Sequence, residues 1–425
     1  MGACSVTQKG MRIAVVGAGI SGLATAWLLG RDHAVTLFEA GDYLGGHSNT
    51  VDVTLDGHTC PVDTGFLVFN DRTYPNLVAM FDALGVRSHA SDMSFAVSLD
   101  EGRLEWAGSN MNTVFAQRAN AFSPTFLGML RDILRFNRQS QDDLASDRID
   151  ADTTLGQYLQ RNGYGRRFIE HYIVPMGSAI WSMSLKEMLN FPLAFFIRFF
   201  HNHGLLSVND RPQWRVIKGG SRSYIPALSK PFADNIRLDC PVQRIRRDET
   251  GVTVLSRQGE ERFDRIVLAC HSDQALKLLE QPSPEEQAIL GDIRYADNDV
   301  VLHTDTRLLP SRRLAWASWN YRLGGDPEQP AALTYNMNIL QGLDASRTFC
   351  VSLNQTDQID PAQILGRFTY AHPQFSVAAS AAQQQWQTLL GKQHTFFCGA
   401  WWANGFHEDG VVSALRVASH FGEVL

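Results

Sequence analysis

The feature that most constrains the fold is a glycine turn between a short apolar strand and a helix. Residues 13–16 read Ile-Ala-Val-Val, which is typical of a strand buried on both faces, and residues 20–29 have the apolar spacing of a helix packed against it. Between them, Gly17 permits the tight turn, Gly19 lets the backbone approach a pyrophosphate, and Gly22 lets helix and strand pack closely. This order predicts a βαβ dinucleotide-binding unit.

An acidic residue supports the same interpretation. Glu39 ends the next predicted strand, where a carboxylate can accept hydrogen bonds from the hydroxyls of a ribose. The free N–H groups at the start of the intervening helix would then face the phosphates. The alternative is an ordinary βαβ turn in which Glu39 is solvated.

Length and charge exclude several classes of function. The chain has 425 residues, which is more than one core usually holds, so we expect two interleaved lobes. The formal net charge is -6 and no long basic run occurs, so a nucleic-acid partner is not expected. Six scattered cysteines without a CxxC pair or an export signal predict reduced thiols and a cytoplasmic location. No spacing of residues suggests a metal site.

The order of apolar and polar residues gives a coarse secondary structure. Between residues 70 and 207 the composition is helical, and helices are predicted over 76–84, 124–144, 154–162, 166–172 and 185–201. A helix over 224–232 precedes short strands over 236–238, 242–246, 252–255 and 266–269. Further strands over 300–303, 333–338 and 348–354 would form a sheet beneath a pocket, and residues 395–418 read as a strand, a loop and a final helix.

The most apolar stretch, residues 191–200, is too short to cross a membrane and contains Arg198. We expect a buried core helix there. The alternative is a helix that faces a membrane surface or lines a substrate site.

Four glycine-containing pieces occur in the order and spacing of a known family: residues 17–39, Gly45-Gly46, Gly219-Gly220 and residues 399–410. In these pieces the chain resembles the FAD-containing amine oxidase superfamily, which includes monoamine oxidases, protoporphyrinogen oxidase and phytoene-type desaturases.

The middle of the chain resembles a narrower group. Residues 175–181, 211–214 and 335–338 are similar to a bacterial branch of predicted NAD/FAD-binding proteins associated with cyclopropane and furan fatty-acid metabolism. This likeness implies an apolar, methylated or unsaturated fatty acyl substrate.

The superfamily resemblance implies an α/β fold with a GR2-type, Rossmann-like FAD-binding lobe and an interleaved substrate lobe of mixed sheet plus helices. The FAD-binding lobe would comprise residues 1–70, 208–290 and 390–425, and the substrate lobe would comprise residues 71–207 and 291–389. FAD would be bound noncovalently, because no cysteine lies between Cys350 and Cys398, where monoamine oxidases attach their flavin.

The resemblance also implies roles for single residues. The first glycine motif would hold the pyrophosphate, Glu39 the adenosine ribose, and Val242 the adenine. The amides of Glu408, Asp409 and Gly410 would meet the pyrimidine edge of the flavin at the start of the last helix. The expected cofactor-binding residues are Gly17, Gly19, Ile20, Ser21, Gly22, Glu39, Ala40, Gly45, Gly46, His47, Val242, Gly399, Ala400, Glu408, Asp409, Gly410 and Val411.

Three departures from the family pattern concern the chemistry. His47 stands where an arginine usually follows the double glycine, so one phosphate contact would be weaker or made differently. His407 stands where amine oxidases place a tyrosine of their aromatic cage. Amine oxidases also use a lysine, and the equivalent strand of this chain, residues 300–303, has only Leu302 or His303 to offer at that position. The second and third of these departures argue against amine chemistry.

His407, His303 and Tyr335 are the expected catalytic residues. His407 could exchange a proton beside the flavin near neutral pH, or bond only to loop backbone. His303 could be a base in the pocket or a satisfied strand residue. Asn336 and Asn338 would share one strand face and could bind an ester or carboxylate, or pair in the interior.

The expected reaction is hydride transfer from a substrate carbon to the flavin, which would desaturate or oxidise an apolar acyl chain docked at a membrane surface. Two alternatives stay open. The first is an amine or amino-acid oxidase that forms hydrogen peroxide, and the second is a flavin-binding protein without catalysis.

Overall fold

The protein is described here by a computed structural model, which covers residues 9–99, 102–150, 152–207, 211–324, 328 and 332–425. Within these residues the strands are β1 Arg12–Val16, β2 Ala34–Phe38, β3 Thr50–Leu55, β4 His58–Asp63, β5 Phe69–Asn70, β6 Ser88–Ala90, β7 Phe95–Leu99, β8 Leu104–Ala107, β9 Trp214–Ile217, β10 Ile236–Arg237, β11 Val242–Asp248, β12 Gly251–Ser256, β13 Gly259–Phe263, β14 Arg265–Leu268, β15 Tyr295–His303, β16 Trp319–Leu323, β17 Leu333–Asn336, β18 Cys350–Leu353, β19 Ile364–Pro373 and β20 Thr395–Phe397.

The α-helices of the same residues are α1 Ile20–Leu29, α2 Pro75–Leu84, α3 Met111–Val114, α4 Pro124–Ala145, α5 Leu155–Arg161, α6 Arg166–Phe168, α7 Val174–Trp181, α8 Leu185–Leu189, α9 Leu193–Asn202, α10 Ile225–Ser229, α11 Ser272–Leu278, α12 Pro284–Gly291, α13 Met337–Leu340, α14 Val377–Gln383, α15 Trp386–Leu389 and α16 His407–His420.

A parallel sheet forms the first layer of the molecule. Its strand order is β10-β2-β1-β14-β20, and every neighbouring pair is parallel. Strands β1 and β14 are almost wholly apolar and buried, as expected for a parallel sheet that is covered on both faces. The carboxyl ends of β1, β2, β14 and β20 therefore meet along one edge, which is the edge from which α1 begins.

Helices α1 and α16 pack against each other beside this sheet. Two glycines make their close approach possible. A Cβ on Gly22 would lie 1.9 Å from the carbonyl oxygen of Gly17, and a Cβ on Gly410 would lie 2.8 Å from the side chains of Ile20 and Ser21. The final helix is thus fixed directly against the helix that follows the first glycine turn.

A mixed sheet with strand order β19-β15-β18-β17-β16-β7-β8 forms the second layer. Strands β16 and β7 are parallel, and the other neighbours are antiparallel. A large apolar core joins one face of this sheet to helices α4 to α9. The mixed α/β class that the sequence predicts is confirmed, whereas the lobe boundaries at residues 70, 207, 290 and 389 stay a prediction.

The expected helix over 185–201 is wrong in one respect, because the chain breaks it into α8 and α9. Pro192 stands between them in an extended conformation and caps α9. A proline disfavours helical geometry in the residue before it and lacks the N–H that would continue the helix.

Three other expected elements differ in detail. The helix over 166–172 changes after Phe168 into a π turn, Ile169–Ile173. The helix over 224–232 is confined to α10, with 3-10 turns at Ser221–Tyr224 and Lys230–Asn235. The strand over 333–338 ends at Asn336, whose side chain accepts a hydrogen bond from the Ile339 amide and caps α13.

The apolar stretch 191–200 is a core segment. Phe191, Phe196, Ile197 and Phe200 are fully buried, which excludes the interpretation of a membrane-facing helix for this segment. Among the described residues, no helix combines the length and apolar character needed to cross a membrane.

Candidate functional site

A cavity of about 630 Å³ is lined by residues of both sheets. The carboxyl ends of β1, β2 and β14 and the start of α1 supply one part of its wall. Strands β16, β17 and β19 and helices α7 and α9 supply the other part. The site is therefore built where the topology brings the strand ends of one sheet against the face of the other.

Two glycine turns form the first end of the cavity. The Gly45 amide donates a hydrogen bond to the Ala18 carbonyl at 2.8 Å, and a Cβ on Gly46 would lie 3.3 Å from the Cα of Gly19. A Cβ on Gly19 itself would meet nothing within 4 Å. Because the first N–H groups of a helix lack partners within it, this end offers open space and free donors at the start of α1.

Glu39 faces this end of the cavity and is held by backbone. One carboxylate oxygen accepts from the Ala18 amide at 2.7 Å and the other from the Gly41 amide at 2.8 Å. Glu39 is thus fixed beside the glycine turn instead of being simply solvated. Its contact with a ribose stays a prediction.

Most of the expected cofactor-binding residues come together here. Those that line the cavity are Gly17, Gly19, Ile20, Ser21, Glu39, Ala40, Gly45, Gly46, His47, Val242, Gly399 and Ala400. Those that do not line it are Gly22, Glu408, Asp409, Gly410 and Val411. The second group acts in packing and helix capping.

The side chains of Glu408 and Asp409 are engaged within the protein. Glu408 accepts hydrogen bonds from the Asn76 and Leu77 amides and from the Asn76 side chain, and so joins α16 to the start of α2. Asp409 accepts from the Phe406 amide at 2.9 Å, and burial raises its pKa to about 7. Only their backbone N–H groups are left for a ligand.

His407 is the residue of α16 that reaches the cavity. Its ring stacks on Phe66 with 3.6 Å between centroids, and its Nε2 lies 2.9 Å from Ser48 Oγ, which lies 2.5 Å from the Tyr224 hydroxyl. Burial lowers the pKa of His407 to about 3. The expectation of a group that titrates near neutral pH is therefore corrected, because the imidazole is uncharged at neutral pH.

Tyr335 lines the cavity, but His303 does not. The His303 Nε2 lies 2.8 Å from Ser352 Oγ, and its Nδ1 accepts from the Asp305 amide. Both ring nitrogens thus have partners inside the mixed sheet, and burial lowers the pKa of His303 to about 4. A role of His303 as a base in the pocket is not supported by its position.

Asn336 and Asn338 do not form the expected pair on one strand face. Asn336 caps α13, and Asn338 accepts from the Phe349 amide and donates to the Arg347 carbonyl. The reason is that the strand ends between them, so the alternation on which the expectation depended does not continue.

The second end of the cavity is an apolar arm, most of which sequence reasoning missed. Its residues come from segments far apart in the chain. Tyr335 was an expected catalytic residue, Phe199 belonged to the apolar stretch, and Ile180 and Trp181 belonged to the segment 175–181, but no local spacing marks the others. The apolar arm consists of Leu67, Val68, Ile180, Trp181, Phe199, Leu205, Trp319, Tyr335 and Phe375. His271 and His372, which also line the cavity, were missed for the same reason.

These residues fit FAD. The glycine end leaves room for a pyrophosphate, and the Nε2 atom of His47 is buried there without a hydrogen-bond partner. His407 and the apolar arm line the same cavity, and Phe406, the neighbour of His407, stacks on Phe199 of the arm, so a ligand with its phosphates at the glycine turns can extend toward the mixed sheet.

Comparison with known proteins identifies the family. The model of the flavin containing amine oxidoreductases matches residues 20–316. The chain is 20% identical over 386 residues to an L-amino-acid oxidase of Bungarus fasciatus, a match that covers 83% of this chain and 72% of that protein. It is 28% identical over 335 residues to a carotenoid phi-ring synthase of Streptomyces griseus, which covers 73% of this chain and 61% of that protein. The chain thus spans less than two thirds of the synthase.

Among solved structures, the fold is similar to that of a CLA-producing fatty acid isomerase from P. acnes. The TM-score is 0.69 at 14% identity, and the alignment covers 97% of this chain and 99% of that chain. At this identity the likeness shows the shared fold alone. Because the family model covers most of the chain, the family and the cofactor predicted from the sequence are confirmed: the chain belongs to the flavin containing amine oxidoreductase family and is an FAD-dependent oxidoreductase.

Proposed function

We propose that the protein oxidises or desaturates an apolar acyl chain. The observation that supports this substrate class most directly is the apolar arm, in which Trp181, Phe199 and Phe375 accompany aliphatic side chains. A hydrocarbon chain in such an arm gains roughly 0.8 kcal/mol for each CH₂ that leaves water. In the same proposal, residues 1–70, 208–290 and 390–425 bind FAD and the rest of the chain binds the substrate.

Bound FAD would supply a two-electron acceptor for a hydride from the substrate. The protein's own residues position the chain and exclude water. Tyr335 and Trp319 pack edge to face, with 4.8 Å between their centroids, and burial keeps the pKa of Tyr335 far above neutral. The tyrosine therefore stays protonated as part of the wall. His407, neutral and bonded to Ser48, is the weakly basic group that we assign to the second proton.

The packing of two rings disfavours an amine substrate. Phe66 and His407 stack face to face with 3.6 Å between their centroids, so these two rings leave no gap that could enclose an ammonium group. Of the two similar proteins, one is named an L-amino-acid oxidase and the other a carotenoid phi-ring synthase. An apolar arm suits a carotenoid, which is a hydrocarbon-like molecule, better than it suits an amino acid.

The decisive test is anaerobic reduction of the purified flavoprotein. We expect monounsaturated or methyl-branched acyl lipids to bleach the flavin absorbance, whereas a panel of amines and amino acids leaves it unchanged. Bleaching by amines alone, with peroxide formed in air, would contradict the proposal and establish an amine oxidase. A flavin that no lipid or amine reduces would instead indicate a binding protein without catalysis.

We further propose that α3, α4 and the turn between them contact the membrane surface from which such lipids come. Four apolar side chains of this region are exposed: Met111 by 68%, Phe122 by 88%, Leu127 by 44% and Leu134 by 60%. Basic residues accompany them, and those exposed beside the apolar ones are Arg118, Arg131, Arg135 and Arg138. Apolar and basic side chains on one surface are typical of segments that bind anionic lipid.

Replacing Phe122 and Leu134 together by aspartate should weaken binding to anionic vesicles by at least about tenfold, because the change removes apolar area and adds negative charge. Sedimentation with vesicles of anionic lipid measures this effect. Val377→Asp, which changes an exposed apolar residue on α14, is the matched control and should bind like the unmodified protein. Equal binding of all three proteins would exclude this surface.

A further inference from the structure

The charges that line the cavity are unusual for a site that holds a pyrophosphate. Among the described lining residues there is no arginine or lysine, and the one carboxylate, Glu39, is negative. A pyrophosphate diester adds two more negative charges. Burying negative charge without compensation is costly, so the pyrophosphate needs a positive partner in addition to the backbone N–H groups and the dipole of α1.

Three histidines occupy the place of that partner. His47 directly follows Gly46, and Gly46 lies against Gly19 in the glycine turn. The ring of His47 lies 4.8 Å from the ring of Tyr370, tilted by 33°, and 5.4 Å from the ring of His372. All three of the histidines, His47, His271 and His372, line the cavity.

The hydrogen bonds of the cluster distinguish its members. His372 Nδ1 lies 3.3 Å from the Asn298 side-chain nitrogen, which can only donate, so His372 is a neutral acceptor there. The His271 ring stacks on Tyr295 at 4.2 Å. His47 alone of the three has a buried ring nitrogen, Nε2, without a partner in the described structure. An unpartnered buried polar atom at a ligand site indicates a missing ligand contact.

We propose that His47, with His271 and His372 beside it, is the counter-cation of the FAD pyrophosphate and takes up a proton as the cofactor binds. This inference rests on the flavin site and is independent of the substrate.

The direction of the pH dependence follows from the surroundings. When the site holds no anion, the pKa of His47 lies well below its usual value. Burial is the main cause, and the charges of the neighbouring His372, His271 and His407 add to it. A bound pyrophosphate raises the pKa of His47 again, so binding takes up a proton at any pH between the pKa of the free site and that of the bound site. Affinity is therefore highest at low pH and falls as pH rises through the pKa of the bound state. The other titratable groups around the cluster are Glu39, Tyr43, Cys270, Asp273, Tyr295, Asp297, Tyr370 and His407.

These other groups do not reverse the direction. Burial lowers the pKa of His271, and Asp273 and Asp297 oppose that shift only in part. Burial raises the pKa of Tyr43 to about 12, so this hydroxyl stays neutral across the range in which histidines titrate.

The test measures FAD affinity and not turnover. Full-length holoprotein is diluted through a concentration series, and released FAD is read by its fluorescence from about pH 6 to about pH 9, a range that extends above the ordinary histidine pKa. We expect the Kd to rise by up to about tenfold per pH unit for one linked proton. His47→Gln should flatten this rise, and His47→Arg should bind FAD at high pH with little dependence on pH.

His58→Gln is the matched control, because His58 is exposed on the β3–β4 hairpin and should leave the pH dependence unchanged. A second measurement needs no variant. Calorimetric titration of FAD into the full chain after flavin removal, in two buffers of different ionisation enthalpy, should report net proton uptake. A Kd independent of pH, an unchanged slope in His47→Gln, or no proton uptake would each overturn the proposal.

Discussion

Replacing Gly19 by valine is expected to give a folded protein that no longer holds FAD. A Cβ at Gly19 meets no protein atom within 4 Å, and the φ of this residue is -71°, so the backbone accepts a side chain without strain. The added methyl groups would project into the space beside the glycine turns. FAD affinity should fall by at least about a hundredfold, which corresponds to ~2.7 kcal/mol. Flavin absorbance after purification and the thermal unfolding midpoint measure the two properties.

Gly22→Ala provides the contrast within the same turn. A Cβ at Gly22 would lie 1.9 Å from the Gly17 carbonyl oxygen, so the turn itself must open. We expect this smaller change to lower the unfolding midpoint, whereas Gly19→Val leaves it near that of the flavin-free protein. A yellow Gly19→Val protein with unmodified affinity for FAD would show that the pyrophosphate lies elsewhere.

Replacing Ile180 by arginine should abolish reduction of the flavin by acyl lipids while FAD stays bound. Ile180 lies in the wall of the apolar arm, in the last turn of α7. A guanidinium there would occupy the arm or draw water into it, and burying it against a hydrocarbon chain costs several kcal/mol. The anaerobic reduction rate should fall by at least about a hundredfold, since each factor of ten corresponds to ~1.4 kcal/mol.

Two further variants make this result interpretable. Ile180→Leu keeps the volume and apolar character of the side chain, so most of the rate should remain. Leu314→Arg adds the same charge at an exposed position outside the cavity and should have no effect. An Ile180→Arg protein that binds FAD and reacts at the unmodified rate would exclude the apolar arm as the substrate site.

The glycine end of the site could be predicted from the sequence because its information is local. Gly17, Gly19 and Gly22 lie within one turn, and each has a backbone role that few other residues can fill. The same holds for Glu39, which follows the turn after one helix and one strand of the same βαβ unit. Helix boundaries were also predictable where caps were present, as at Thr154, whose side chain accepts from the Gln157 amide.

Apart from Tyr335 and His47, which the sequence analysis named, the apolar arm and the histidine cluster could not be predicted in this way. Leu67, Ile180 and Phe375 become neighbours only when the mixed sheet and the helices have assembled, and each is an ordinary apolar residue in its own segment. His372 lies on β19, a strand that the sequence analysis did not identify. Contacts between residues remote in the chain depend on tertiary packing, which periodicity does not encode.

The link between α16 and α2 through Glu408 has a consequence for biosynthesis. Gly399, Ala400 and His407 leave the ribosome long after Gly19, yet they line the same cavity. A nascent chain that ends before β20 lacks both the outer strand of the parallel sheet and one wall of the flavin site. We therefore expect cofactor capture to be a late step in maturation. If a protease cut the chain between β20 and α16, only noncovalent contacts with α1 and α2, among them the hydrogen bonds of Glu408, would hold the final helix against the wall that it completes.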